Sequence, residues 1–372
     1  MSRISCMVYP PTVDYDFLAQ RPQQLMKCFS EMQIPSYFIN RPLSDSSKGI
    51  KLLNPYFYLV NGSDISNFVN KQKPVVYFHL PQQINLIQKY NPSLVVFDSV
   101  DEPSEEFASW RHFYYQAVEQ ADIVLASSDK LYQMASAINP DTYLITNGCD
   151  YKYFSQAVAK NLAIPEEIKN IPRPIIGFIG AVASWCNFNL IKKVAEQFPQ
   201  YSVVMIGPLY NIKNVPQSEN LYWLGNKSYD QLASYAQEFS VGIIPFRKSS
   251  MIESVNPIKM WEYLAAGLPV VATDIPEAKK YPGIVISSEN DEQFLEGIRC
   301  SIREDSQEKQ VQRLNLARHN SWEAKARQVA DIIEQTLAKK EPAEYLLSSR
   351  LPGHKVSKIK YDTKPAYRIK VL

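Results

Sequence analysis

Short apolar runs without polar alternation recur along the chain, separated by longer stretches in which apolar residues return every three or four positions. The runs VVYF (75–78) and SLVVF (93–97) are typical. A strand that is apolar on both faces is one covered on both faces, as in a parallel sheet. The pattern predicts strands over 4–8, 36–39, 75–78, 94–97, 123–126 and 142–145, with helices over 17–32, 84–89, 105–120 and 130–137. Residues 161–174, NLAIPEEIKNIPRP, interrupt this rhythm with three prolines and read as a linker. Beyond them the alternation resumes, with strands over 175–179, 202–206, 221–224, 241–245, 269–272 and 284–286. Helices are predicted there over 188–198, 229–239, 257–266, 291–303 and 321–339. Strand–helix–strand repetition of this kind predicts an α/β fold class: two Rossmann-like, doubly wound parallel-sheet domains, 1–160 and 175–320, facing across a cleft.

Composition narrows the picture. A length of 372 residues suits two or three domains, and 45% hydrophobic with 21% charged residues excludes a disordered or fibrous chain. A net charge of +2 argues against a dedicated nucleic-acid binder. The tail 341–372 is locally basic, with seven Lys/Arg against three Asp/Glu, which predicts either a solvated tail or peripheral contact with an anionic membrane. The five cysteines (6, 28, 149, 186, 300) have no paired spacing, the start MSRISCMVYPP lacks a signal-peptide core, and no apolar run reaches 18 residues. A cytoplasmic location, either free or peripheral at the inner face of the membrane, is the resulting expectation. HExxH, P-loop, GxSxG, EF-hand and GxGxxG patterns are missing, so neither a metal nor a bound cofactor is expected.

The segment most informative about chemistry is 254–274, SVNPIKMWEYLAAGLPVVATD. Asn256 suits an N-cap, Pro257 the first helical position, and Gly267 with Pro269 the stop. Lys259 and Glu262 are three apart and share a face, while Ile258, Trp261, Leu264 and Ala265 form the opposite, core-facing side. Lys259 lies in the first turn, where the helix dipole disfavours a cation. An ammonium beside free backbone N–H groups makes an anion pocket suited to a diphosphate, and a carboxylate one turn further on can accept both hydroxyls of a ribose. The competing reading is a solvated Lys–Glu surface pair. In an open α/β sheet ligands sit at the carboxyl ends of strands. His79 ends VVYF, and Asp98 and Asp101 follow LVVF. His79 and Asp98 are therefore candidate catalytic groups; Asp101 is either an acceptor-side residue or a helix cap.

The block NPIKMWEYLAAGLPVVATD resembles the donor-nucleotide signature PxKxxEYxAxGxPVV of GT-B glycosyltransferases close to family four. DFLAQRPQQLM (16–26) and IIGFIGAVASWCNFNLIKKVAEQFPQYSVVMIGP (175–208) are similar to bacterial polysaccharide glycosyltransferases of the teichuronic-acid type. LASSDKLY (125–132) and TNGCDYKYF (146–154) look like the end of their N-terminal domain, so the resemblance covers roughly residues 5–335. It implies a GT-B fold whose last helix, 321–340, crosses back to the first domain. It also implies hexosyl transfer from a UDP- or GDP-sugar, the only small molecule bound, to a glycan or lipid-linked acceptor in cell-surface polysaccharide synthesis. Retention of anomeric configuration follows from the same source. Glu262 would hold the ribose, and Lys259 the phosphates beside the helix start at Asn256. Gly180 and Ala181 would bring backbone amides to the diphosphate. Arg247 and Lys248 would neutralise it, or form a solvated loop. Arg21 would bind an anionic lipid-diphosphate acceptor, or stabilise a helix start. The chain departs from the family at Ser254, where many members carry a first glutamate, and at Asn187, where an acidic residue is usual. Two rival readings are a nucleotide-sugar 2-epimerase on the same fold and a non-catalytic nucleotide-sugar-binding partner of an active transferase.

Overall fold

A computed structural model describes residues 2–12, 15–16, 19–41 and 48–340 of the protein; the basic tail lies outside the described residues. The first sheet contains β1 (Met7–Tyr9), β2 (Ser36–Ile39), β3 (Gly49–Asn54), β4 (Phe57–Asn61), β5 (Val75–Phe78), β6 (Leu94–Ser99), β7 (Ile123–Ala126) and β8 (Thr142–Leu144). Its order is β3-β4-β2-β1-β5-β6-β7-β8, parallel except for the β3–β4 hairpin. The second sheet contains β9 (Ile175–Ile179), β10 (Ser202–Ile206), β11 (Leu221–Gly225), β12 (Val241–Ile244), β13 (Val270–Thr273) and β14 (Val285–Ser288). Its order is β11-β10-β9-β12-β13-β14, parallel throughout. In both sheets the strand order reverses at the first strand, β1 or β9, which places a ligand-binding crevice at the carboxyl ends beside it.

The unalternating runs are buried on both faces as their composition requires: Val75, Val76, Tyr77 and Phe78 are all inaccessible to water. Several expected elements differ. The first strand is Met7–Tyr9, shifted toward the prolines, and the expected helix 84–89 is a series of 3-10 turns over Pro81–Tyr90. Residues 105–120 divide into a 3-10 segment, Glu105–Trp110, and an α-helix, Arg111–Gln120. The β3–β4 hairpin escaped the sequence reading because β3 (GIKLLN) mixes polar and apolar residues and is largely exposed. Helix Gln307–His319 also escaped it, having no apolar stripe; only Arg313 and Ala317 are buried along it.

Residues 161–174 are largely exposed but anchored at two points. Ile168 and Ile171 belong to the core of the second domain, which reaches back to Cys149. At the other end, helix Trp322–Lys340 buries Trp322, Ala326, Val329, Ala330, Ile333 and Leu337 in the core of the first domain, against helix Arg21–Glu31. Those positions fall at i, i+4, i+7, i+8, i+11 and i+15, one stripe of a helix.

Candidate active site

Between the domains lies a cleft of about 750 Å3. The helix Ile258–Ala265 forms its floor. Met260, Trp261, Tyr263, Leu264 and Ala265 bury their side chains, whereas Lys259 and Glu262 line the cleft. Ile258 departs from the expected core-facing side: it lines the cleft and packs against the core of the first domain. Asn256 does not cap this helix. The N-cap is Pro257, and the Asn256 Oδ1 accepts a hydrogen bond from the Trp261 indole at 2.9 Å. The far end is tied down by Arg313, whose Nε donates to the Gly267 carbonyl at 2.9 Å.

The two cleft-lining charges have no hydrogen bond or ion pair among the described residues. The Lys259 Nζ lies 4.9 Å from the Phe246 ring centroid and 5.4 Å from that of Phe178, a cation–π setting that holds an ammonium without neutralising it. Desolvation pushes its pKa down. Glu262 is 7% exposed, and burial raises its carboxyl to about 7, against a smaller lowering by Lys259. Beside them runs the turn after β9. Gly180 adopts φ +146°, and a Cβ there would lie 2.5 Å from Lys259 Cε, so glycine serves both the turn and the close approach. The Gly180 amide is already spent on the Ile206 carbonyl at 2.8 Å, which corrects its assignment to the diphosphate. The Ala181 amide has no partner among the described residues and faces the same cleft. Tyr263 fixes this geometry: its hydroxyl, beneath the helix, accepts from the Ile179 amide at 2.6 Å.

The opposite wall belongs to the first domain. Gln20, Gln23, Gln24 and Lys27 line it at i, i+3, i+4 and i+7, a polar stripe at the start of helix Arg21–Glu31. That stripe was legible in AQRPQQL, where attention to Arg21 obscured it. Tyr15 and Asp16 also line the wall, as part of the triplet Asp14-Tyr15-Asp16, whose first residue lies outside the described residues. Trp185, Lys227 and Tyr229 are further lining residues without a sequence signal of their own: the first two sit in loops after strands, and Tyr229 opens the 3-10 turn Tyr229–Gln231.

The remaining candidates stand elsewhere. Arg21 and Asp98 pair with each other: Arg21 Nε lies 2.6 Å from Asp98 Oδ2, at 2% and 0% exposure, and the Tyr77 hydroxyl donates to the same oxygen. Neither lines the cleft, so Arg21 is not placed to take an acceptor, nor Asp98 a proton. His79 stacks on Tyr9, with Nδ1 at 2.6 Å from its hydroxyl, and burial lowers the imidazole pKa to about 4. Asp101 is raised to about 6 by burial and lies off the cleft lining. Arg247 meets Glu105 at 3.5 Å and Lys248 meets Asp274 at 3.3 Å, so both basic residues are paired away from the cleft. Asn187 caps helix Phe188–Gln197 by accepting from the Leu190 amide, and the Ser254 hydroxyl donates to the Met251 carbonyl at 2.7 Å.

Residues 173–304, which carry the cleft helix and the β9 turn, match the family of Glycosyl transferases group 1. Over 228 residues the chain is 27% identical to TuaH of Bacillus subtilis (strain 168), which is named for glycosyl transfer in teichuronic acid biosynthesis. The match covers 57% of this chain and 56% of that protein, so the chain spans about half the length of the curated relative it matches. The whole architecture is shared more widely. Sucrose-phosphate synthase from Thermosynechococcus elongatus superposes with a TM-score of 0.67 at 15% identity, covering 90% of this chain and all of the other. HepE of Anabaena, solved with UDP and glucose, superposes with a TM-score of 0.67 at 10% identity, covering 89% of this chain and 99% of the other. A glycosyltransferase from Rickettsia africae gives 0.60 at 16% identity, covering 90% and 99%. Such likeness speaks to the fold, which is GT-B. None of the helices among the described residues is long and apolar enough to cross a membrane.

Proposed function

We propose that this protein is a glycosyltransferase of cell-surface polysaccharide synthesis that takes a hexose from a UDP- or GDP-sugar and passes it to a glycan or lipid-linked acceptor. One observation carries the reading: an unpartnered ammonium and an unpartnered, nearly buried carboxylate, one helical turn apart, line the cleft within the segment that matches the Glycosyl transferases group 1 family. Unpaired charge at such burial is costly to the free protein, and a ligand that supplies both an anion and hydroxyl donors relieves the cost. Lys259 and the Ala181 amide would hold the diphosphate. Glu262 would accept the ribose hydroxyls, and the polar stripe of helix Arg21–Glu31 would close over the donor to exclude water.

Retention of configuration is the stereochemical outcome we favour. Inverting transfer needs a base on the acceptor hydroxyl. The two groups expected to serve, Asp98 and His79, are occupied by Arg21, Tyr77 and Tyr9. Calorimetry with UDP and GDP, followed by product analysis with nucleotide-sugars with and without acceptor, tests the proposal. Nucleotide binding with sugar transfer supports it. Isomerised donor without acceptor supports an epimerase, and binding with no turnover of any donor supports a scaffold. Repeating the assay with a chelator tests whether transfer is independent of a divalent cation.

A further inference from the structure

The segment 146–150, Thr146 to Asp150, is where both domains and the last helix meet. The Cys149 amide donates to the Asn320 carbonyl at 3.1 Å, and the Trp322 amide returns a bond to the Cys149 carbonyl at 2.9 Å. Gly148 lies so near that a Cβ would sit 2.5 Å from the Asn320 oxygen. Lys325 of the last helix donates to Thr146 Oγ1 at 2.7 Å, and Asp150 meets Lys27 of the first helix at 3.3 Å. At the centre of this joint is Asn147, 8% exposed. Its Oδ1 accepts from Arg21 Nη1 at 3.1 Å, and its Nδ2 donates to the backbone carbonyl of Asn256 at 2.7 Å.

The second bond spans the domains. Asn256 immediately precedes Pro257, the N-cap of helix Ile258–Ala265. Because the peptide unit is planar and proline fixes φ, the direction of the Asn256 carbonyl sets the entry of the chain into that helix. The Asn256 side chain is meanwhile locked to the fully buried Trp261 indole within the same helix. A continuous polar chain thus runs from Asp98 through Arg21 and Asn147 to Asn256, every member less than a tenth exposed. A buried ion pair is a poor source of net stability but a strong source of geometric specificity, since few arrangements satisfy it.

We infer that Asn147 is a positioning residue: through the buried Arg21–Asp98 pair it holds the start of the Lys259–Glu262 helix in register with the first domain. The inference gives the two charges off the cleft, Arg21 and Asp98, a role through the site without contact with substrate.

Two variants separate the two bonds of Asn147. Asn147→Asp keeps an acceptor for Arg21 but has no proton for the Asn256 carbonyl; Asn147→Ala loses both. Hydrogen–deuterium exchange of the full chain, without nucleotide, reads the helix start directly. In both variants amides of residues 258–262 exchange at least tenfold faster, while β5 and β6 keep their protection. UDP or GDP affinity, whichever the wild type binds, falls three- to tenfold. Wild-type protection of 258–262 in either variant overturns the inference; protection kept by the aspartate variant alone assigns Asn147 only the satisfying of Arg21, which that acceptor restores. The exchange readout needs no ligand. A wild type that binds neither nucleotide therefore counts against the proposed function and leaves this inference to stand or fall on its own result.

Discussion

The two domains treat their charges in opposite ways. In the first, two of the three strand-end candidates are answered from within: Asp98 by Arg21 and Tyr77, and His79 by Tyr9, whose hydroxyl also accepts from Thr12 at 2.8 Å; the third, Asp101, lies off the cleft. In the second, Lys259 and Glu262 occupy the cleft wall with no partner of their own among the described residues. Strand-end position pointed to the first set and helix spacing to the second, and in both the residue types suited the chemistry. The state of the partners distinguishes them. A buried charge facing an internal counter-ion explains itself, whereas one left open toward a cavity is explained by what the cavity receives.

The sharpest way to break this contrast is to remove one charge from each side. Arg21→Ala strands Asp98 without its counter-ion at 0% exposure and is expected to destabilise the fold by about 3–5 kcal/mol in denaturant titration. Lys259→Ala, which takes from Glu262 only a minor coulombic support and from Lys259 its two aromatic contacts, should cost no more than about 1 kcal/mol. Equal losses would erase the distinction between the two regions.

The next effect depends on pH. Glu262 has its carboxyl raised from 4.5 to about 7 by burial, so the folded state favours its neutral form. The stability this group contributes is present below pH 4.5 and lost as pH rises through about 7. Glu262→Gln removes the ionisation, and the free variant should gain stability over wild type on passing from pH 4.5 to pH 8, by an amount on the order of 3 kcal/mol at most. Stability curves of the two proteins that run parallel across that range would show that the carboxylate is already compensated.

Smaller effects concern ligand. Glu262→Ala should weaken nucleotide binding at least tenfold, about 1.4 kcal/mol, with the thermal midpoint unchanged or raised. Lys259→Ala should weaken UDP several-fold more than uridine, because only the former carries phosphates for the ammonium; calorimetry with both ligands checks it.

Much of the architecture was legible because its cause is local. Buried parallel strands have to be apolar on both faces, and VVYF and PVVAT announce themselves. The helix carrying the site was legible too, from its glycine–proline stop and from a lysine placed against the dipole, although its cap was assigned one residue early, to Asn256. What escaped was decided by tertiary partners. Nothing in GIKLLN tells that it edges a sheet, and nothing in Gln307–His319 tells that Arg313 reaches the carbonyl of Gly267. The same limit explains the misplaced candidates. Arg21, Asp98 and His79 have the right chemistry near the right strand ends, but Tyr77, Tyr9 and Asn147, which occupy them, are distant in sequence and close only in the fold. The polar stripe of Gln20, Gln23, Gln24 and Lys27 was available from helical counting alone.

The central claim is that a nucleotide binds where Lys259 and Glu262 face the cleft. Hydrogen–deuterium exchange of the wild-type protein with and without UDP, and with GDP in parallel, tests it most directly. Slowed exchange in the turn after β9, in residues 226–231 and at the start of helix Ile258–Ala265, with the outer strands unaffected, is the predicted result. A nucleotide that binds while these three segments exchange as before would contradict it.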